Sequence, residues 1–160
     1  MNAQQAIQIA IDAGQMIALG YLEDLTDKEL FHRPAPGANH INWQLGHLIV
    51  SEHEMINTAK PGSMPPLPQG FAERYTKETA ASDDPRQFLT KEQLLEAFRQ
   101  QRVATLQALH SLSAEELDRP SGVPYAPTVA ALFSMQGTHW VMHAGQWAVI
   151  RRQLGRKPLF

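Results

Sequence analysis

Two histidines near the end of the chain have the spacing of a metal-binding pair. His139 and His143 are four residues apart in segment 138–147, which has the pattern of a long helix. Side chains at positions i and i+4 share a helix face, with Cβ atoms roughly 5–6 Å apart. Two imidazoles can therefore bind one divalent transition metal, for which imidazole is a common ligand. A surface coincidence is the alternative, and a metal site needs a third ligand from elsewhere in the chain.

His47 is the candidate third ligand. It lies in the segment Leu45-Gly46-His47-Leu48, so its imidazole is expected to point toward a core. Three neutral nitrogen ligands leave one position of a zinc-type ion open, which is typical of catalytic rather than structural sites. Such an ion would lower the pKa of a bound water toward ~7, activate a thiol or polarise a carbonyl. The alternative is that His47 is a hydrogen-bonded core residue.

Polar residues at helical spacing from these histidines are candidates for supporting roles. Ser51 and Glu54 follow His47 at i+4 and i+7 and share its face. Glu54 is the candidate catalytic residue, either as a general base, a partner of a ligand imidazole or a fourth ligand. It is equally interpretable as a solvated surface acid. Gln136 and Gln146, at i−3 and i+3 from the nearer histidine, are candidates for contacting substrate or holding ligands.

The other histidines are weaker candidates. His40 is seven residues before His47, about 10 Å along the helix axis, and is interpreted as a pocket residue or an alternative ligand. His53 falls on a different side of its helix, and His32 and His110 lie near element ends and are expected to be solvated. Five further residues are assigned to packing or structural roles: Trp43, Trp140, Trp147, Arg33 and Arg119.

The composition predicts one domain, residues 1–160, with a sizeable core. A formal net charge of −2 gives no basic footprint for nucleic-acid binding. The apolar runs are shorter than the ~20 residues of a membrane span, and the N-terminus lacks the pattern of a signal peptide. The chain has no cysteine, which excludes disulfides and thiolate ligands and favours a cytoplasmic location.

Hydrophobic periodicity predicts four long helices, at residues 3 to about 24, 40–58, 90 to about 111 and 128–154. Capping boxes at Thr26/Glu29 and Ser113/Glu116 predict two short helices between them, and a third at Thr90/Gln93 opens a long helix. Asn39 is the predicted N-cap of the second long helix. No stretch alternates in the manner of a β-strand.

An internal repeat organises these helices. Leu25-Thr-Asp-Lys-Glu-Leu30 before Arg33-Pro34 is similar to Leu112-Ser-Ala-Glu-Glu-Leu117 before Arg119-Pro120. The chain is therefore interpreted as two helix–short helix–helix units joined by a proline-rich crossover at residues 61–89. This predicts an all-α four-helix bundle in which the second helices of the two units, with His47 and with His139 and His143, face each other.

The same motifs resemble the DinB-like (YfiT-like) superfamily of metal-dependent proteins. The most specific parts are Leu45-Gly-His-Leu48 and His139-x-x-x-His143-x-x-Gln146, with the Ser82-Asp-Asp-Pro85 crossover between them. The resemblance implies a four-helix bundle, often a homodimer, whose three histidines bind zinc, nickel or a similar divalent ion. It carries these ligand positions onto His47, His139 and His143. Relatives with an assigned activity include thiol S-transferases and isomerases that use mycothiol, bacillithiol or glutathione, and proposed hydrolases.

Together these features predict a metal-dependent enzyme that activates a low-molecular-weight thiol or water for attack on a small electrophile in stress or detoxification. Metal-assisted ionisation would allow thiol chemistry in a chain without cysteine. The expected partner is a small-molecule substrate, and the resemblance implies a second copy of the chain. Neither nucleic acid nor a membrane is expected as a partner. The alternatives are a non-catalytic metal- or ligand-binding stress protein and a helical scaffold that binds nothing.

Overall fold

The computed structural model describes residues 1–159 and is mostly helical, as expected for an all-α fold. Each of the four predicted long helices is present. The connections between the first three contain 3-10 turns at Glu29–Phe31, Ala72–Tyr75 and Pro85–Gln87. The helices are α1 (Ala3–Leu22), α2 (Ile41–Ala59), α3 (Lys91–His110), α4 (Ala114–Asp118) and α5 (Val129–Gln153). Two short strands, β1 (Pro120–Val123) and β2 (Ala126–Thr128), lie between α4 and α5.

Side-chain caps set where the helices begin. The predicted capping boxes at Thr90/Gln93 and Ser113/Glu116 open α3 and α4. Thr26 and Glu29 also exchange the predicted hydrogen bonds, but a 3-10 turn follows them instead of an α-helix.

The prediction of Asn39 as the N-cap of α2 is wrong. The cap is His40, whose Nδ1 accepts a hydrogen bond from the backbone N–H of Trp43 at 3.1 Å. An imidazole nitrogen with a free lone pair can satisfy a helix N-terminal amide as a carboxamide oxygen would. The buried His40 ring also packs against Phe31 and Phe88, which holds it in this position.

The long crossover is explained by the direction of the helices. Asn42 at the start of α2 donates to the carbonyl of Leu89 just before α3, and Glu52 further along α2 pairs with Arg102 on α3. The two helices therefore run parallel. A helix of 19 residues is about 28 Å long, so the chain must return that distance before α3 can begin beside the start of α2.

The two long helices of each unit are not the principal packing partners. α1 packs most closely against α5, and α2 packs against α5 and α3. α5 runs antiparallel to α2, because Gln44 contacts Trp147 near one end and Met55 contacts Gln136 near the other. This arrangement brings the second helices of the two units together, as the repeat predicted.

α1 and α5 approach each other closely at two glycines. A Cβ placed on Gly14 would lie 2.5 Å from the carbonyl oxygen of Gly137, and one placed on Gly137 would clash with the backbone of Ala10. Both obstacles are backbone atoms, so a side chain at either position would push the helices apart. This close approach at Gly137 fixes the position of α5 against α1 two residues before His139.

A buried ion pair joins α2 to α3. Arg102 donates to Glu52 at 2.8 Å and to the carbonyl of Gln136 on α5 at 3.1 Å. Thr105 donates to the other carboxylate oxygen of Glu52 at 2.7 Å. The Arg102 guanidinium lies over the Phe98 ring at 5.1 Å. The sequence pattern singled out Glu54 and missed Glu52, because the ion pair depends on α3 lying beside α2.

The β-hairpin before α5 was not predicted. Pro120 pairs with Thr128 and Val123 with Ala126 in an antiparallel register. The strands have four and three residues, too few for an alternating pattern to emerge, and prolines further obscure it. The backbone N–H of Val129, the first residue of α5, donates to the carbonyl of Arg119 at 2.9 Å. The hairpin thereby fixes where α5 begins.

Among the helices of residues 1–159, none has both the length and the apolar character needed to cross a bilayer.

Candidate metal centre

The three predicted ligands come together where α2 faces α5. One ring nitrogen from each of His47, His139 and His143 lies within 4.8 Å of the other two. The Nε2 atoms of His139 and His143 are 3.3 Å apart. His143 is buried, and the other two imidazoles are half-buried. Residues separated by nearly a hundred positions therefore form one cluster with a partly open side.

The distances fit a divalent ion. Zinc–imidazole bonds of 2.0–2.1 Å at a tetrahedral angle place two ligand nitrogens about 3.3–3.4 Å apart. The observed 3.3 Å between the Nε2 atoms of His139 and His143 equals this separation. The ligand nitrogen of His47 lies within 4.8 Å of the other two, so the three nitrogens could surround a single ion. The donor set of three imidazoles suits zinc, nickel and related ions.

The environment keeps these imidazoles neutral. Burial, followed by the charge of neighbouring imidazoles, lowers the pKa of His139 and of His143 to about 4. Burial alone lowers the pKa of His47. Imidazole must be neutral to bind a metal, so at pH 7 metal binding requires no net release of protons from these three rings.

His47 is held by Trp43, one turn earlier on α2. The two rings stack with centroids 5.0 Å apart and an interplanar angle of 3°. The Trp43 indole N–H donates to the carbonyl of Thr76 at 3.0 Å and to the Thr79 hydroxyl at 3.2 Å. Trp43 is thus a wall of the cluster, anchored by the crossover.

The crossover also packs against α2 at Gly46, beside His47. A Cβ on Gly46 would overlap the ring of Tyr75. The Tyr75 hydroxyl in turn accepts a hydrogen bond from the backbone N–H of Leu89 at 3.0 Å. The Leu-Gly-His motif therefore provides the space that this ring requires.

The sequence matches a known protein family. The family model of the DinB superfamily matches residues 10–147, a span that includes all three histidines. The chain belongs to the DinB superfamily. No curated protein and no solved structure matches the chain. Among the comparisons, membership in the superfamily therefore rests on the family model alone.

Gln44 is a residue beside the three histidines that was not predicted from the sequence. Its side chain is fully buried, and its Oε1 lies 2.8 Å from His143 Nδ1 and 2.9 Å from Trp147 Nε1. The sequence feature that could have indicated it is a polar amide between Trp43 and Leu45, three residues before His47. Gln146 is exposed, and its Oε1 accepts a hydrogen bond from Gln44 Nε2 at 3.2 Å.

The remaining candidates on α2 have distinct environments. His40 is not an alternative ligand, because its Nδ1 caps α2 and its Nε2 is 3.1 Å from the carbonyl oxygen of Ser82. His53 contacts Gln101 on α3, which agrees with its predicted place on another side of the helix. Glu54 is exposed and Ser51 half-buried. A catalytic role for Glu54 stays a prediction.

Other predicted positions have structural environments. Gln136 is buried and donates to the carbonyl of Leu132 on its own helix at 2.8 Å. His32 and His110 form surface contacts with Gln153 and Gln8. Arg33 donates to three backbone carbonyls and to Asp83, which ties the α1–α2 connection to the crossover and confirms its structural role. The indoles predicted to be packing residues are all buried: Trp43, Trp140 and Trp147.

Proposed function

We propose that the protein is a divalent-metal-dependent enzyme in which His47, His139 and His143 bind zinc or nickel. The observation that supports this proposal is the convergence of three imidazoles, whose ligand nitrogens lie within 4.8 Å of one another. Their lowered pKa values make them neutral ligands at pH 7. Three protein ligands leave a fourth position for water or substrate, as in catalytic zinc sites.

The reaction that we propose is thiol-dependent S-transfer to a small electrophile, with hydrolysis as the related reaction. A divalent ion would supply Lewis acidity at this place, which favours ionisation of a thiol or of water at neutral pH. The chain has no cysteine, so the thiol is a low-molecular-weight co-substrate. Trp43 and Gln44 orient the imidazoles, and the buried surroundings of His143 exclude water from one side of the cluster. The proposed setting is detoxification in the cytoplasm.

The acids on α2 differ in their freedom to move a proton. Glu52 accepts hydrogen bonds from Arg102 and Thr105, so its carboxylate is already engaged. Glu54 is exposed and lies seven residues after His47. We therefore propose Glu54, and not Glu52, as the candidate general base.

A non-catalytic metal-binding stress protein is the second candidate. It is favoured by the position of two well-formed grooves, of about 370 Å³ and 480 Å³. Leu19 and Phe98 line the first, and Leu89 and Ala97 line the second, whereas neither groove is lined by the three histidines. Neither groove could hold a substrate against an ion at the three histidines, which favours ion binding without turnover.

One experiment separates these candidates. Protein purified without a histidine tag is loaded with zinc or nickel and incubated with glutathione, bacillithiol or mycothiol and a chlorinated aromatic electrophile. An enzyme gives a rate above background with at least one thiol, and His143→Ala abolishes it. If the metal-loaded protein and His143→Ala both give the background rate with every thiol, the transferase proposal fails. Stoichiometric metal with no turnover then supports the binding protein.

We also propose that the four long helices form a four-helix bundle and that the chain is a homodimer. The bundle is supported by the packing of α1 against α5 and of α2 against α5 and α3.

The dimer is supported by the exposed sides of α1 and α5. Asp12 is the one charged residue of α1, and α5 has no Asp, Glu, Lys or Arg before Arg151. Ile9 and Met16 are exposed two turns apart on α1, as are Met142 and Val149 on α5. Depletion of charge around exposed apolar side chains is typical of the core of an interface.

A further inference from the structure

Gln44 uses both ends of its amide to connect α2 with α5. Its Oε1 is 2.8 Å from His143 Nδ1 and 2.9 Å from Trp147 Nε1. Its Nε2 donates to the backbone carbonyl of Asn39 at 2.7 Å and to Gln146 Oε1 at 3.2 Å. The side chain is fully buried.

Two of these partners fix which way the amide points. An indole N–H only donates, so the amide atom that faces Trp147 must be the oxygen. A backbone carbonyl only accepts, so the atom that faces Asn39 must be the nitrogen. Both requirements are met by one orientation of the side chain. An inverted amide would place its NH2 group against the Trp147 N–H and its oxygen against the Asn39 carbonyl.

The orientation of Gln44 determines where His143 carries its proton. An amide oxygen accepts but cannot donate, so His143 must donate from Nδ1 to form the contact of 2.8 Å. A neutral imidazole has one N–H, so His143 Nε2 carries only a lone pair. That lone pair faces His139 Nε2 at 3.3 Å. A hydrogen bond between these two atoms requires His139 to donate from Nε2, and this is the form that we expect in the metal-free protein.

We propose that Gln44 is the positioning residue of the centre: it holds His143 in the Nδ1–H form and thereby places the proton of His139 on Nε2, where a metal ion would replace it. The inference rests on the proposed metal site. With a metal ion bound at Nε2, the His139 proton would be on Nδ1, reached by exchange with water, and the proton of His143 would stay where it is. Both imidazoles stay neutral, so this step releases no net proton. The two adjacent ligands thus respond differently to the same ion.

Nitrogen-15 NMR of the histidine rings tests this inference, because long-range proton–nitrogen correlations distinguish an Nδ1–H from an Nε2–H imidazole. In metal-free wild-type protein at pH 7.5 we expect Nδ1–H for His143 and Nε2–H for His139. On addition of zinc, His139 changes to Nδ1–H and His143 does not change. An Nε2–H form of His143 in metal-free wild-type protein would overturn the inference, and so would a His139 that is Nδ1–H before zinc is added.

Variants of Gln44 separate positioning from general packing. Gln44→Glu, as a neutral buried acid, retains one oxygen as the acceptor for His143 and Trp147 and donates from the other to the carbonyl of Asn39, so His143 stays Nδ1–H. Gln44→Leu removes the acceptor, so His143 populates both forms and zinc affinity falls about 10- to 100-fold, the range for loss of a residue that orients a metal ligand. Gln146→Leu is the matched control, because it removes an exposed amide and retains the contact of Gln44 with His143.

The outcomes distinguish this inference from the proposed function. If wild-type protein binds no divalent ion, the proposed function fails, and the form of His143 in metal-free protein still decides whether Gln44 sets its proton. If wild-type protein binds zinc and Gln44→Leu changes neither the His143 proton nor the affinity, the inference fails and the metal site stands. Should Gln44→Leu not fold, the wild-type and Gln44→Glu spectra give the decision.

Discussion

His139 and His143, one helical turn apart on α5, present their Nε2 atoms to each other at 3.3 Å. Two imidazoles at this distance are suited to sharing either a proton or a metal ion. His47 on α2 favours the sharing of a metal ion, since it places a third nitrogen within 4.8 Å of both. The properties of the centre follow from this arrangement of neutral rings at the boundary between two helices.

Acid should destabilise the metal-free protein. The pKa of His139 and that of His143 are lowered from 6.5 to about 4 by folding, so the unfolded chain binds protons more readily in this range. The contribution of these two histidines to the free energy of unfolding is fully present above pH 6.5 and is lost progressively as the pH decreases toward 4. Urea unfolding in the presence of a chelator, at intervals between pH 7.5 and 4.5, measures this loss.

The control for the pH experiment is a variant in which His139 and His143 are both replaced by asparagine. Its free energy of unfolding should change less between pH 7 and 5 than that of the wild type. An equal loss of stability in both proteins would assign the acid sensitivity to other groups.

Gly137→Ala should destabilise the protein by about 1–3 kcal/mol, the usual range for overpacking a close contact. The added Cβ would meet the backbone of Ala10 on α1, which cannot rotate away as a side chain can. Thermal or urea unfolding provides the measurement. Gly145→Ala on the same helix is the control, since no atom lies within 4 Å of its added Cβ. Alanine is the better helix former, so this control should be neutral or more stable by up to about 1 kcal/mol.

Replacing only one member of the buried pair of Glu52 and Arg102 should strongly destabilise the protein. Glu52→Leu leaves a guanidinium buried without its counter-ion, and we expect a loss of about 3–5 kcal/mol. The double variant with Arg102→Met removes both charges and should recover a substantial part of that loss. Urea unfolding of the single and double variants forms the test. If the double variant loses as much free energy of unfolding as Glu52→Leu and Arg102→Met lose in sum, the two charges are not coupled.

Self-association should depend on α1 and α5. Met16→Lys and Met142→Lys place charges on side chains that are 61% and 58% exposed, and we expect each to convert a dimer to a monomer in analytical ultracentrifugation. Val103→Lys on α3 is the matched control, at 56% exposure. A monomeric wild-type protein, or a dimer that survives both methionine substitutions, would contradict the proposed interface.

The sequence predicted the helices and the three clustered histidines because these depend on local periodicity and on one internal repeat. It could not reveal the direction of the helices. The pairing of Glu52 with Arg102 requires α3 to run parallel to α2, and this follows from the crossover and not from any local pattern. Gln44 was missed for a related reason, since its partners His143 and Trp147 are about 100 positions away. The choice of His40 over Asn39 as a cap depended on the aromatic rings around it.

The central claim is tested most directly by calorimetric titration of zinc into untagged, metal-free protein, with His47→Ala, His139→Ala and His143→Ala measured in parallel. We expect one ion per chain in the wild type and a large loss of affinity in every variant, because each removes one of three converging ligands. His110→Ala, which replaces an exposed histidine that forms a hydrogen bond with Gln8, serves as the control and should bind zinc as the wild type does. Absence of stoichiometric binding to the wild type, or equal binding by all four variants, would contradict the three-histidine metal centre.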